Sequence, residues 1–267
     1  PMRLRLVYLA AAVAAAVAVA AILLYRGGEA PVGEAVVVGE EVLLPLPRVK
    51  TEMRVEEALL HRKSIREWRD EPLDVEDLAL LLWAAQGVTE HAGWDWYRRT
   101  APSAGATYPL EVYVVIGEKG VRSGSGYLEA GVYRYNPFRH SLTLVRRGDA
   151  RRELWEASWR QDWVRDAPVS IVICAVYERT TSRYGERGVR YVILEAGHVG
   201  QNIYLMATAL NLGTVAIGAF DDAAVARAIS ARAGEAPLYV YPVGVPRELY
   251  RGSFDEVRRL IEGMRRG

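Results

Sequence analysis

The order of helical and extended patterns in this chain predicts an α+β or three-layer domain. Two observations carry the prediction. Strand-like apolar runs, such as residues 110–116 and 169–176, are short and bounded by turn residues. Between them lie stretches with helical spacing, the longest over residues 189–212. With 51% hydrophobic residues in 267, the chain can fill a core, so disorder is not expected.

Residues 6–25 form an uncharged apolar run between Arg3 and Arg5 on one side and Arg26 on the other. About 20 such residues match the thickness of a bilayer's hydrocarbon core. Residues 1–26 therefore read as a membrane anchor or a secretory signal. The run ends Leu23-Leu24-Tyr25-Arg26, which fits an uncleaved, single-pass transmembrane helix better than a small-residue cleavage site. Basic residues precede the span, and Glu29, Glu34, Glu40 and Glu41 dominate the stretch after Arg26, so the globular part is expected to be extracytoplasmic. Residues 27–49, with Gly, Pro and Glu, read as a linker or an edge strand, leaving 50–267 as the globular domain.

Within that domain Asp74 opens a helix as N-cap, and Val75, Leu78, Ala79, Leu81 and Leu82 form its apolar stripe up to Gly87. Residues 110–116, 131–135 and 142–145 read as strands, the last two joined by the turn-forming Asn136-Pro137. Asp149 caps a short helix, and residues 168–176 form a strand apolar on both faces. The long helix 189–212 ends at Gly213. Strands at 213–219 and 238–243 come next, separated by a helix from about Asp221, and residues 254–264 make a terminal helix.

Composition narrows the function. A net charge of +1 gives no global field for nucleic acid. The single cysteine, Cys174, excludes an internal disulfide or cysteine cluster, and its apolar setting reads as core. The four histidines (His61, His91, His140, His198) are scattered, so no metal site is expected. Dinucleotide, P-loop, nucleophile-elbow and H-E-x-x-H motifs are missing from the sequence.

Four segments could carry chemistry. If the chain leaves a helix near Arg62 and extends, Arg62, Ser64 and Arg66 project to one side, a phosphate clamp of two guanidinium forks and a hydroxyl. A solvated basic helix end is the alternative. Residues 101–109 place small residues between Pro102 and Pro109, which would let backbone approach a flat ligand, or form an ordinary loop. The long helix is apolar on nearly every side, which predicts burial, yet holds Glu195, His198, Gln201 and Asn202. Glu195, His198 and Asn202 share a face and need a cofactor, a partner subunit or each other. Gly197 and Gly200 suggest a close helix–helix contact. Finally, residues 213–220 read as a strand ending in glycine, whose amides could face a ring. Trp94, Trp96 and Tyr97 could cover such a site, or simply pack.

Taken in order, these segments resemble the nitroreductase superfamily, and more narrowly its SagB-type dehydrogenase branch. The residues carrying the likeness are Arg62-Lys63-Ser64-Ile65-Arg66, Trp83 to Thr89, Pro102 to Pro109, Tyr184 to Gly188, Leu194 to Asn202 and Gly213 to Phe220. The resemblance implies a central, mostly antiparallel sheet flanked by helices and a homodimer sharing two FMN sites. It implies that Arg62, Lys63, Ser64 and Arg66 hold the FMN phosphate and ribityl chain, with Arg247 or Arg251 completing the set. Pro102, Ser103, Ala104 and Gly105 would line the ring from the neighbouring subunit, with Gln201 and Asn202 near the cofactor. Gly218 and Ala219 would offer amides to the flavin N5/O4 edge.

The implied activity is ping-pong electron transfer from NAD(P)H, or from a quinol if the domain is extracytoplasmic, to a small planar acceptor. Azoline oxidation is an alternative. Members with that activity are expected to carry a Lys-Tyr pair before the core helix, whereas Arg183-Tyr184 stands here, and arginine cannot serve as a base. Tyr184 remains available for proton transfer. A non-catalytic FMN-binding or scaffold protein is a further alternative.

Overall fold

The computed structural model describes residues 33–94 and 96–266. Its strands are β1 (Val36–Val38), β2 (Glu41–Leu43), β3 (Leu73–Asp74), β4 (Val88–His91), β5 (Tyr97–Arg99), β6 (Leu110–Ile116), β7 (Val121–Ser123), β8 (Gly126–Tyr127), β9 (Gly131–Asn136), β10 (Ser141–Arg147), β11 (Val169–Ala175), β12 (Gly213–Thr214) and β13 (Ala236–Gly244). The helices are α1 (Val55–His61), α2 (Val75–Gln86), α3 (Arg151–Ala157), α4 (Asp162–Asp166), α5 (Glu178–Tyr184), α6 (Arg187–Ala209), α7 (Asp222–Ala228) and α8 (Phe254–Met264).

Eight strands form one sheet in the order β1-β2-β10-β9-β6-β11-β13-β12, and every pairing in it is antiparallel. The fold is thus α+β around a central antiparallel sheet. β1 and β2, inside the stretch read as a linker or an edge strand, extend the β10 edge through Leu142↔Val42.

Apolar residues on both sheet faces require cover on both sides. On one face Leu78, Leu81 and Leu82 of α2 and Val192, Val199 and Ile203 of α6 pack on Val112, Val114, Ile171 and Ile173. On the other, Leu154, Val164, Val225 and Ile229 pack on Val115, Val172 and Val240. β11 is buried throughout, Ser170 included, as its largely apolar run predicts. Burial raises the thiol pKa of Cys174, which lies in this second core. Each fully buried aliphatic side chain contributes roughly 1.5–3 kcal/mol.

Three expectations need correction. The membrane-anchored, extracytoplasmic placement is withdrawn: no helix among the described residues is long and apolar enough to cross a membrane, and residues 6–25 lie outside the described residues. α6 is not buried all round. Val192, Glu195, Ala196, Val199 and Ile203 face inward, whereas Val189, Ile193 and Leu194 are 45%, 48% and 52% exposed. The close approach at Gly200 is helix to sheet: a Cβ there would lie 1.9 Å from the Tyr241 hydroxyl of β13, and one at Gly197 would meet nothing within 4 Å.

Candidate functional site

α1 ends at Arg62, whose φ of −60° and ψ of 121° turn the chain into an extended strap. Ser64 pairs with Thr214 as a parallel bridge, and the Ile65 amide donates to the Thr214 carbonyl at 3.0 Å. Further on, the Arg69 amide donates to the Val245 carbonyl at 2.8 Å. The strap therefore continues the sheet past β12. Arg62 lies 5.1 Å from the centre of the Tyr204 ring, Arg66 lies 5.4 Å from that of Trp163, and Lys63 sits over Tyr250. None of these three cations pairs with a carboxylate among the described residues, although most ion pairs found there involve arginine. Arg247 joins them: its amide donates to the Glu67 carbonyl at 3.1 Å and its Nε to the Trp68 carbonyl at 3.2 Å.

Tyr204 lies on the long helix but is not among the polar residues that stand out on it in the sequence, yet it organises this region. Its hydroxyl lies 2.8 Å from the Ser64 Oγ and accepts from the Ala216 amide at 2.8 Å. The available signal was a lone tyrosine in an apolar helical row, since a half-buried phenol needs a partner.

The strand expected over residues 213–219 is shorter in the structure. Only Gly213–Thr214 joins the ladder, with one further bridge in the same register at Ile217↔Val240; between them Pro242, opposite Val215, has no N–H to give, and the Ala216 amide, pointing away from β13, donates to Tyr204. Gly218 and Ala219 then emerge exposed, and their amides make no backbone hydrogen bond among the described residues. The Ala219 carbonyl is held by Gln161 Nε2 at 2.9 Å.

The segment Pro102–Pro109 is a fixed loop. Gly105, Ala106 and Tyr108 have φ of 59°, 53° and 42°, the left-handed region that costs a non-glycine residue energy. Side chains hold it there. Ser103 Oγ accepts from the Tyr108 amide at 2.9 Å, Thr107 bonds Thr180 at 2.8 Å, and Arg183 donates to the Gly105 carbonyl at 2.9 Å. A Cβ at 105 would lie 2.5 Å from the Tyr184 hydroxyl and 2.8 Å from an Arg183 nitrogen, so both side chains would have to move to admit one. The structure thus joins two segments that the sequence presents 78 residues apart at Gly105 and Arg183. The Arg183-Tyr184 pair closes helix α5, just before the core helix.

Below this loop lies a buried polar chain. Gln86 accepts from Arg99 at 3.0 Å and donates to Glu195 at 3.4 Å, and Ser103 also hydrogen-bonds Glu195. Burial raises the Glu195 carboxyl above the usual carboxylate range, against the opposing pull of those hydrogen bonds.

The polar row expected on the helix splits. Glu195 is buried, Asn202 donates to the Thr100 carbonyl at 3.4 Å, and His198 and Gln201 face outward. Trp94 and Trp96 are exposed, while Tyr97 packs on His91 and Phe138. The strap and the loop meet α6 at stations nine residues apart, Tyr204 and Glu195, about 13 Å along the axis at 1.5 Å per residue.

This fold and these two stations define an α+β protein of the nitroreductase type. Residues 59–245 match the Nitroreductase family, and the chain belongs to it. It is 44% identical over 206 residues to the candidate nitroreductase MJ1384 of Methanocaldococcus jannaschii, covering 77% of this chain and 98% of that protein. Among solved structures it is similar to a candidate nitroreductase of Ralstonia eutropha, with TM-score 0.67, 29% identity, and coverage of 83% of this chain and 96% of that one. It is also similar to a chain of the Escherichia coli microcin synthetase McbBCD complex, solved with truncated pro-MccB17 bound. There the TM-score is 0.60 and the identity 25%, over 70% of each chain.

Proposed function

We propose that this chain is an FMN-dependent oxidoreductase that works as a homodimer, taking electrons from NAD(P)H and passing them to a small planar acceptor in ping-pong fashion. The observation that carries the reading is the Tyr204 junction. One hydroxyl fixes both the strap of carboxylate-free cations and the peptide that leads to the free Gly218 and Ala219 amides.

The residues present fit FMN. Arg62, Arg66 and Arg247 supply forked donors suited to phosphate, and Ser64 and Lys63 add a hydroxyl and a further cation. The Gly218 and Ala219 N–H groups suit the ring edge on which negative charge grows, because fixed donors need no reorganisation there. When bound, FMN supplies two-electron redox chemistry that no side chain of this chain can perform.

The loop Pro102–Gly105 would cover the ring from the second copy, with Gln201 and Asn202 beside the cofactor. Support for a dimer comes from the exposed Val189, Ile193 and Leu194 on the central helix, an apolar face of the kind that protein partners cover. Purified protein is expected to be yellow, to bind FMN, and to lose its visible flavin band on addition of NADH or NADPH. Protein that takes up no FMN refutes the proposal, and flavin that no donor reduces marks a non-catalytic binder.

A SagB-like azoline dehydrogenase is the second reading. It is favoured by the Tyr184 hydroxyl beside Gly105, which could hold a substrate proton, and by the similarity to the microcin synthetase chain. Arg183 is spent on the Gly105 carbonyl and stays protonated. On this reading Tyr184→Phe abolishes azoline oxidation and spares reduction of the flavin by NAD(P)H.

A further inference from the structure

A cavity of about 730 Å³ lies near the start of β6 and the end of β9, lined also by Arg99, Arg179 and the Ser230–Arg232 turn. None of the strap residues, nor Gly218 or Ala219, lines it. Four guanidiniums do: Arg99, Arg134, Arg179 and Arg232.

Two of the four are neutralised. Glu111 sits between Arg134 and Arg179, and Glu235 adds a second carboxylate to Arg134 at 3.2 Å. Arg232 and Arg99 have no carboxylate partner among the described residues. Arg99 is the more telling case. Its side chain is largely withdrawn from water, and burial lowers its pKa. The Tyr108 and Phe138 rings flank it at 4.4 and 5.2 Å. One of its nitrogens donates to Gln86, and its Nε is buried without any partner.

A half-buried guanidinium with an unmet donor and no carboxylate at ion-pair distance, drawn only weakly by Glu111 and Glu195, is costly to leave uncompensated. Its fork matches the paired oxygens of a carboxylate or phosphate. Leu110, Val112 and Leu144 line the same space and would accept a carbon body. We propose that this cavity is a binding site for a small organic anion, whose carboxylate or phosphate is held between Arg99 and Arg232, apart from the flavin position. The site lies one hydrogen-bonded chain, Gln86–Glu195–Ser103, from the loop at Gly105.

The test is calorimetric titration with pyrophosphate and, separately, phthalate at constant ionic strength. It is run on flavin-free and FMN-loaded protein, so that a failure to bind flavin leaves the result readable. One saturable site is expected in either state, and the tighter of the two probes identifies the preferred headgroup. Arg232→Ala, at an exposed position, and Arg99→Leu should each weaken binding roughly tenfold or more, because a hydrogen bond to a charged group is worth about 1.5–3 kcal/mol. Arg99→Lys, which keeps the charge and loses the fork, should fall between Arg99→Leu and the parent. Absence of saturation by both probes up to roughly 10 mM, or an Arg232→Ala variant that binds like the parent, overturns the proposal.

Discussion

Replacing Tyr204 by Phe removes one oxygen atom from a junction of three elements. The change keeps the ring that lies under Arg62 and against Tyr241, so packing is retained. What disappears is the acceptor for the Ala216 amide and the partner of Ser64 Oγ, both at 2.8 Å. A net hydrogen bond is worth about 0.5–1.5 kcal/mol, and an amide left without a partner in a half-buried place costs about 1–3 kcal/mol. Ser64 can rotate toward water, so the amide dominates and the expected loss is roughly 2 kcal/mol. For a domain of this size that lowers Tm by about 4–8 °C.

The same deletion frees the strap from the peptide preceding Gly218, so FMN affinity should also fall, by roughly tenfold for each 1.4 kcal/mol of lost positioning. Urea unfolding of the flavin-free protein measures the first effect, and titration of FMN followed by its fluorescence quenching measures the second. A variant that unfolds at the parent's urea midpoint refutes the assignment of Tyr204 as the junction. One that is destabilised but binds FMN unchanged confines its role to stability and separates the strap from the cofactor.

Three further outcomes rest on the same geometry. Arg62→Ala and Arg66→Ala should weaken FMN about ten- to a hundredfold while leaving riboflavin, which lacks the phosphate, nearly unaffected; equal losses for both ligands in a binding titration would place the strap elsewhere. Gly200→Ala gains about 1 kcal/mol of helix propensity, but its methyl would meet the buried Tyr241 hydroxyl 1.9 Å away, so overpacking of about 1–3 kcal/mol should leave the variant destabilised in urea unfolding. His140 is buried between the Tyr135 hydroxyl at 2.8 Å and the Pro45 carbonyl at 3.0 Å, and burial brings its pKa from 6.5 down to about 4. The unfolded chain therefore binds the extra proton first, and stability should fall as pH drops from 6.5 toward 4, by roughly 3 kcal/mol at most. A His140→Gln variant should lose most of that slope when urea midpoints are compared across the window.

Much of the fold could be read from the sequence where local pattern and burial agree. β11, β13 and β6 are predominantly apolar runs, as strands covered on both faces are, with Ser170 and Glu111 the polar exceptions in β11 and β6. Helix α2 begins where Asp74 predicts, though for a different reason. Its carboxylate pairs with Arg122 at 2.8 Å and does not cap the helix. α6 reads as fully buried because an apolar face left exposed and an apolar face turned to the core look alike in one sequence. Of the candidate site, Arg62, Ser64 and Arg66 could be found by their alternation and their order relative to the later segments. Tyr204 and Arg99 could not, because their significance lies in partners 140 and 13 residues away in sequence, Ser64 and Gln86 respectively.

The shortness of β12 is the clearest link between fold and site. The run from Gly213 to Ala219 is as apolar as the strands that pair fully, so propensity alone would let it continue along β13. On the β13 side it is interrupted at Pro242, which stands opposite Val215, has no N–H and gives its carbonyl to the Thr214 hydroxyl, while the Ala216 amide, on the other side of the strand, donates to Tyr204. With the ladder broken there, the amides of Gly218 and Ala219 are left to serve something outside the sheet. A strand paired with β13 to its end would have used one of these donors, since successive amides point to opposite sides. Backbone donors of this kind persist at a surface without selection for a ligand only as long as water satisfies them. The FMN reading requires more: that the donors lie on the same side as Arg62 and Arg66 and at a fixed distance from them. The Tyr204 hydroxyl, bonded at once to Ser64 and to Ala216, sets that distance together with the Ile65–Thr214 bond.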